Sequence, residues 1–246
     1  LAPHLVFKGG TSLSKVYGVI DRFSEDIDLS MSPAFVGADE AAFEAMKSRA
    51  RRDATLAAMQ SQCGERTKVF LMPRLEKAIV EHLGPRKGRA PWLRYEDDPV
   101  ARSPVVHFEY PSAEASGFDY LRREVKLELG SLTDQRPTGQ HAVRAWVVDD
   151  FPAAFTDWHC HVTALELTRT FWEKATILHA EHHRPEEQAT PDRYARHYAD
   201  MARLLRHANA AAMLADHALC ARVVEWKSRV LARQWARYDL AKPGTI

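Results

Sequence analysis

Asp26 and Asp28 are separated by one residue in the run Asp26-Ile27-Asp28-Leu29. On a strand, side chains at i and i+2 project to the same face, so both carboxylates point one way and Ile27 and Leu29 the other. Two unit charges ~4 Å apart repel by about 4 kcal/mol at an effective dielectric near 20. Such a pair calls for a divalent cation on hard oxygen ligands, a shared proton or free solvation. A bare pair is most often two solvated acids on a sheet edge, so the neighbourhood decides. Upstream stands Phe7-Lys8-Gly9-Gly10-Thr11-Ser12-Leu13-Ser14-Lys15: a strand, two glycines, hydroxyls and a helix start. Glycines let a backbone approach phosphate closely, and a helix N-terminus offers unpaired N–H groups to an anion. An anion cradle joined to a carboxylate pair is the minimum for metal-assisted transfer from a nucleoside triphosphate.

A third carboxylate is available on Arg123-Glu124-Val125-Lys126-Leu127-Glu128-Leu129, where Glu124, Lys126 and Glu128 share one face. Glu128 is expected to complete a two-metal site with Asp26 and Asp28, by activating the attacking hydroxyl or by holding the second ion. On this segment alone, a strand with its polar face in water explains the pattern as well. Further on, Leu167, Phe171, Lys174 and Leu178 fall on one helix face, which places an ammonium in an apolar stripe. Lys174 can snorkel out, pair with Glu173 or another acid, or meet a triphosphate; with a phosphate cradle expected elsewhere, the last is preferred. Asp200 lies just outside the apolar arc of its helix, beside His197, and alone reads as a solvated acid.

The elements that must position these groups follow from periodicity. Strands are expected at His4 to Lys8 and Asp26 to Met31, with a helix from Thr11 to Tyr17. A long helix is expected from Asp39 to Gln62, and a helix, or a strand running into one, from Lys68 to Leu83. Gly84 to Pro104, rich in Pro, Gly and Arg, reads as a loop. Val105 to Tyr110, Arg123 to Leu129 and Ala142 to Val148 read as strands, with a turn at Pro137-Thr138-Gly139. Helices follow at Thr163–His183, Asp192–His207 and Ala211–Tyr238. The expectation is an α/β domain over 1–152 and a helical domain over 153–246. Leu1 is not Met and the chain opens almost at once into Leu5-Val6-Phe7, so a preceding N-terminal segment is expected to be missing.

The 246 residues suffice for one large or two modest domains, and 46% hydrophobic with 27% charged residues is ordinary for a globular chain. A net charge of +1 excludes a grossly basic nucleic-acid coat but not a local basic groove. No apolar run approaches the roughly 20 residues of a membrane helix, and with no secretory signal a cytoplasmic address is expected. Cys63, Cys160 and Cys220 are too few and too scattered for a disulfide framework. His159-Cys160-His161 lacks a second ligand pair at finger-like spacing and reads as structural. For an RNA acceptor, two basic regions are candidates. One is Gly84 to Arg102, with Arg86, Lys87, Arg89, Arg94 and Arg102 around Trp92 and Tyr95. The other is the group Arg203, Arg206, Arg222, Arg229, Arg233 and Arg237.

The block from Phe7 to Lys15, continuing to Arg22-Phe23-Ser24-Glu25-Asp26-Ile27-Asp28-Leu29, resembles the first motif of the AbiEii/AbiGii nucleotidyltransferase toxins of type IV toxin–antitoxin systems. Lys126-Leu127-Glu128 is similar to the family's second motif, Arg169-Thr170-Phe171-Trp172-Glu173-Lys174 to its third and Arg196-His197-Tyr198-Ala199-Asp200 to its fourth. The resemblance implies an α+β fold: a polymerase-β-like nucleotidyltransferase mixed sheet with flanking helices, followed by a helical C-terminal domain. It implies Asp26, Asp28, Glu128, Lys174 and Asp200 as catalytic residues, Asp26, Asp28 and Glu128 holding the metal. Ser24 would be paired with Asp26, and Lys8, Gly9, Gly10, Thr11, Ser12, Lys15, Ser24, Lys126 and Lys174 would serve the nucleotide. Mg²⁺ or Mn²⁺, an NTP donor, a tRNA 3′-end acceptor and a cognate antitoxin come with it. The fourteen residues between Thr11 and Asp26 exceed the gap common in the superfamily. Competing readings are transfer to a small molecule or a protein, and a non-catalytic nucleotide-binding module.

Overall fold

A computed structural model describes residues 2–22, 26–86, 91–99, 103–111, 123–156, 159–231 and 233–246. β1 (Leu5–Lys8) runs directly into α1 (Gly9–Lys15). The junction turns on Gly9 at φ 72°, a left-handed conformation that glycine enters without a Cβ penalty. β2 spans Asp26–Met31, the limits its alternation predicts. The expected helix 39–62 is two helices, α2 (Glu40–Ala45) and α3 (Arg49–Arg66). Both starts are written in side chains: Asp39 accepts from the Ala42 N–H and Ser48 from the Arg51 N–H. A π-helical turn, Thr67–Leu71, leads into α4 (Met72–Leu83), so the segment from Lys68 is helical throughout.

The expected loop 84–104 contains β3 (Leu93–Asp98). β4 (Ser103–Glu109), β5 (Glu124–Gly130) and β6 (Thr138–Arg144) follow, then a short α5 (Val147–Asp150) and β7 (His159–Leu165). β6 begins where a turn was expected, and β7 takes residues expected to open a helix. The helices are α6 (Leu167–His182), α7 (Ala195–Leu204), α8 (Ala210–Ala215) and α9 (His217–Val230). The stretch 211–238 is thus interrupted, because Asp216 caps α9 by accepting from the Leu219 N–H.

By contact the chain groups into two compact units: Leu1–Phe7 with Ser24–Thr133, and Lys8–Phe23 with Asp134–Ile246. The division into folding domains at 152/153 is a separate property and stays an expectation. In the first unit the strands lie in the order β3-β4-β5-β2-β1. β2 runs parallel to β5, while β4 is antiparallel to both β3 and β5, so the sheet is mixed. Its apolar face, with Leu93, Val106, Leu129 and Met31, packs with Met59 and Cys63 of α3 and with Leu71. In the second unit β6 and β7 form an antiparallel pair. There Leu13, Val19 and Ile20 share a core with Phe171, Trp172, Met201, Leu204, Cys220 and Val223. Each such side chain contributes about 1.5–3 kcal/mol by leaving water. The mixed α+β class expected from the sequence is the class observed.

Candidate active site

The acids of the first unit are set by strand register. Asp26 lies opposite Lys126, and Asp28 opposite Glu128, on the parallel neighbours β2 and β5. Extending the register through β4 and β3 puts Arg94, His107, Lys126 and Asp26 in one row across four strands. Glu96, Val105, Glu128 and Asp28 form the next row. Cross-strand partners share a face, so Asp26, Asp28 and Glu128 project from the polar side of the sheet, away from the apolar core. Lys126 donates to Glu128 at 2.5 Å. Burial acts to lower the Lys126 pKa, but that bond and the charges of Glu128, Asp26 and Asp98 hold it above the ordinary lysine value. As they stand, the acids do not close around an ion. Among the described residues no group of three or more His, Cys, Asp or Glu is arranged to hold a metal. The donors still fit Mg²⁺ in kind, since all are hard carboxylate oxygens on one face.

The glycine turn and the helical lysine belong to the second unit. Thr11, Ser12, Leu13 and Ser14 of α1 are buried. The Ser12 hydroxyl donates to the Gly9 carbonyl at 2.9 Å, which braces the turn and commits that hydroxyl to the backbone. Gly9, Gly10 and Lys8 are half-buried, and the Lys15 ammonium sits over the Trp146 ring, 3.1 Å from its centroid. Ser24, expected beside Asp26, lies outside the described residues.

Lys174 is 5% exposed and its ammonium lies 2.9 Å from Asp200 Oδ2. Of the alternatives weighed for Lys174, pairing with another acid is seen and Glu173 is engaged by Arg169 and Lys227; the solvated reading of Asp200 gives way, that residue being 1% exposed. Its carboxylate also receives Arg22, Nε to Oδ1 at 3.0 Å and Nη2 to Oδ2 at 2.9 Å. Burial acts to raise the Asp200 carboxyl, but the Arg22 hydrogen bonds and the Lys174 charge hold it below the usual carboxylate range. On the other side of Lys174, His197 Nδ1 is 3.5 Å away, with its pKa pushed down to about 4 by burial and by the lysine charge. Sequence reasoning missed Arg22, although the residue opens the segment that ends in the two acids.

Matching the chain to protein families gives residues 1–243 as nucleotidyl transferase AbiEii toxin, type IV toxin–antitoxin system. The chain belongs to the AbiEii family. It is therefore a nucleotidyl transferase, with a nucleoside triphosphate substrate and an antitoxin partner implied by the family. No curated protein and no solved structure gave a significant match. No described helix is long and apolar enough to cross a membrane.

Next to the AbiEii lysine on α6 runs a second buried ion network. Arg169, fully buried, holds Asp134 at 2.7 Å and Glu173 at 2.5 Å. Arg222 reaches Asp134 at 2.6 Å, and Lys227 reaches Glu173 at 3.0 Å. Burial would raise the Glu173 carboxyl, but Lys227 and Arg169 bring it down to about 2.

Most of the described arginines in the two candidate acceptor regions are paired with acids. Trp92 is 8% exposed with its indole N–H given to the Gly84 carbonyl, and the half-buried Tyr95 ring has the Lys68 ammonium 4.3 Å from its centroid. Arg86 pairs with Glu109 and Arg94 with Glu96; Lys87, Arg89 and Arg102 lie outside the described residues. In the C-terminal group Arg203, Arg222, Arg229 and Arg237 each face an acid. His159, Cys160 and His161 are exposed at the start of β7, and Cys160 is a free thiol.

Proposed function

We propose that the protein transfers a nucleotidyl group from an NTP to the 3′ end of tRNA, as a polymerase-β-like enzyme acting in the cytoplasm. The observation that carries this reading is the β2–β5 register, with Asp26 and Asp28 on one face and Glu128 directly opposite Asp28. In the proposal Asp26 and Asp28 hold Mg²⁺ or Mn²⁺, which supplies charge neutralisation for the triphosphate and the developing leaving group. Glu128, on the neighbouring strand, is the base for the acceptor hydroxyl, and Lys126 donates to its carboxylate. The backbone of Gly9 and Gly10 approaches phosphate oxygens where a Cβ would intrude. Lys174 supplies a cation for the same phosphates. The helices after residue 153 are proposed as a domain that presents the acceptor.

The test is incubation with each labelled NTP, a divalent ion and total tRNA. Label in tRNA, dependent on the ion and abolished in Asp26→Ala, is the expected result. Label that enters protein or small molecules instead would replace tRNA as the acceptor and leave the transfer chemistry standing. No transfer to any acceptor with any NTP would overturn the reading.

A further inference from the structure

We propose that Arg22 is a positioning residue for nucleotidyl transfer, acting through Asp200 to fix the direction of the Lys174 ammonium. The inference rests on the reading of Lys174 as a phosphate-binding cation.

Three facts carry it. First, Arg22 engages both oxygens of one carboxylate with two different guanidinium nitrogens, at 3.0 and 2.9 Å. A planar fork on a planar carboxylate defines the plane as well as the position of the acceptor, which a single hydrogen bond does not. Second, Asp200 is 1% exposed, so little water is at hand to replace the fork. A carboxylate shut off from water takes its orientation from the donors it has. Third, the oxygen that receives Arg22 Nη2 is Oδ2, the same atom that lies 2.9 Å from Lys174 Nζ. Guanidinium, carboxylate and ammonium are thereby linked in series, so the angle at which Lys174 leaves α6 depends on a residue from a different part of the chain.

The chemistry explains why arginine stands at this position. Lysine there would keep the charge but offer a point contact, and the carboxylate could then rotate and carry Lys174 with it. A neutral residue would remove one of the two cations that share Asp200, so the carboxylate would hold the Lys174 ammonium, already 2.9 Å away, more tightly against a bound anion. Both changes weaken the grip on a triphosphate without touching the acids that hold the metal, so the loss belongs in KM for the NTP rather than in the chemical step.

The experiment uses the full chain carrying Arg22→Lys or Arg22→Gln, with steady-state transfer measured against NTP concentration and melting followed in parallel. Expected is a rise in KM for the NTP on the order of 10- to 100-fold, the equivalent of losing one charge-assisted hydrogen-bond pair. The lysine variant should sit at the lower end, and kcat should stay within a few-fold of the parent. Arg22→Lys keeps the ion pair and serves as the folded variant should Arg22→Gln lose its fold. A KM unchanged in a folded Arg22→Lys, or a loss confined to kcat, overturns the inference. The underlying reading fails separately, through absence of transfer in the parent chain or a KM for the NTP that is unchanged in a folded Lys174→Ala.

Discussion

At the scale of single residues, the carboxylates and cations divide into those that meet a reacting group and those that hold others in place. Asp26 and Asp28 have no role in the apolar core and face away from it, so replacing either should cost activity and spare stability. Asp26→Ala should lower transfer by at least ~100-fold, equivalent to about 3 kcal/mol of lost charge stabilisation, with a melting temperature close to the parent's. Initial rates at saturating NTP, read beside circular dichroism melts, check both halves of the statement. What was legible here was the pattern in a short run: the acids, the glycines and the lysine in an apolar stripe all announce themselves by type and spacing. The partners were not legible. Asp200 looked solvated because it sits at the margin of its helix's apolar arc, and the residue that buries its charge, Arg22, lies 178 positions away.

At the scale of elements, β2 was legible to the residue because half-buried strands alternate strictly, and α6 was legible from Leu167 onward. Failures cluster where a residue's local meaning was ambiguous. Gly139 reads as a turn glycine, yet it lies within β6, where a Cβ would stand 2.1 Å from Glu166 Oε1 and 2.9 Å from His141 Nε2. The atoms in the way are the ends of two partly exposed side chains, which can turn aside. Gly139→Ala should therefore cost no more than about 1 kcal/mol, visible as a small drop in urea midpoint with an unchanged slope. β3 was missed because its charged residues suggest a loop, but charges on an edge strand are how sheets discourage further pairing. On α6, the Arg169–Glu173–Lys227 network carries its own test. The Glu173 carboxyl is lowered from 4.5 to about 2 in the folded state, so its contribution is fully present above pH 4.5 and is lost as the pH falls towards 2. Glu173→Gln should cost about 3–5 kcal/mol at neutral pH, because the buried Lys227 loses its counter-ion while Arg169 falls back on Asp134. It should also flatten the fall of the urea midpoint over that acid range.

At the scale of the whole molecule, ligand linkage gives the most direct check on the proposed donor. A nucleotide that binds only the folded chain should stabilise it by about 2.7 kcal/mol at a concentration a hundred times its Kd. Thermal melts with each NTP, with and without Mg²⁺, should show a shift for the donor base that needs the ion and disappears in Asp28→Ala. An equal shift for all four bases would point to recognition of the triphosphate alone. The three cysteines sharpen what such melts can report. Cys63 lies in the core of the first unit, its thiol pushed up to about 12 by burial, and Cys220 lies in the core of the second with its thiol also raised. Cys160 is exposed on β7. A maleimide dye added to the native protein should thus attach at one defined place, giving a fluorescent reporter on the second unit without any engineered mutation, while the two shielded thiols become reactive only on unfolding and count the molecules that have opened.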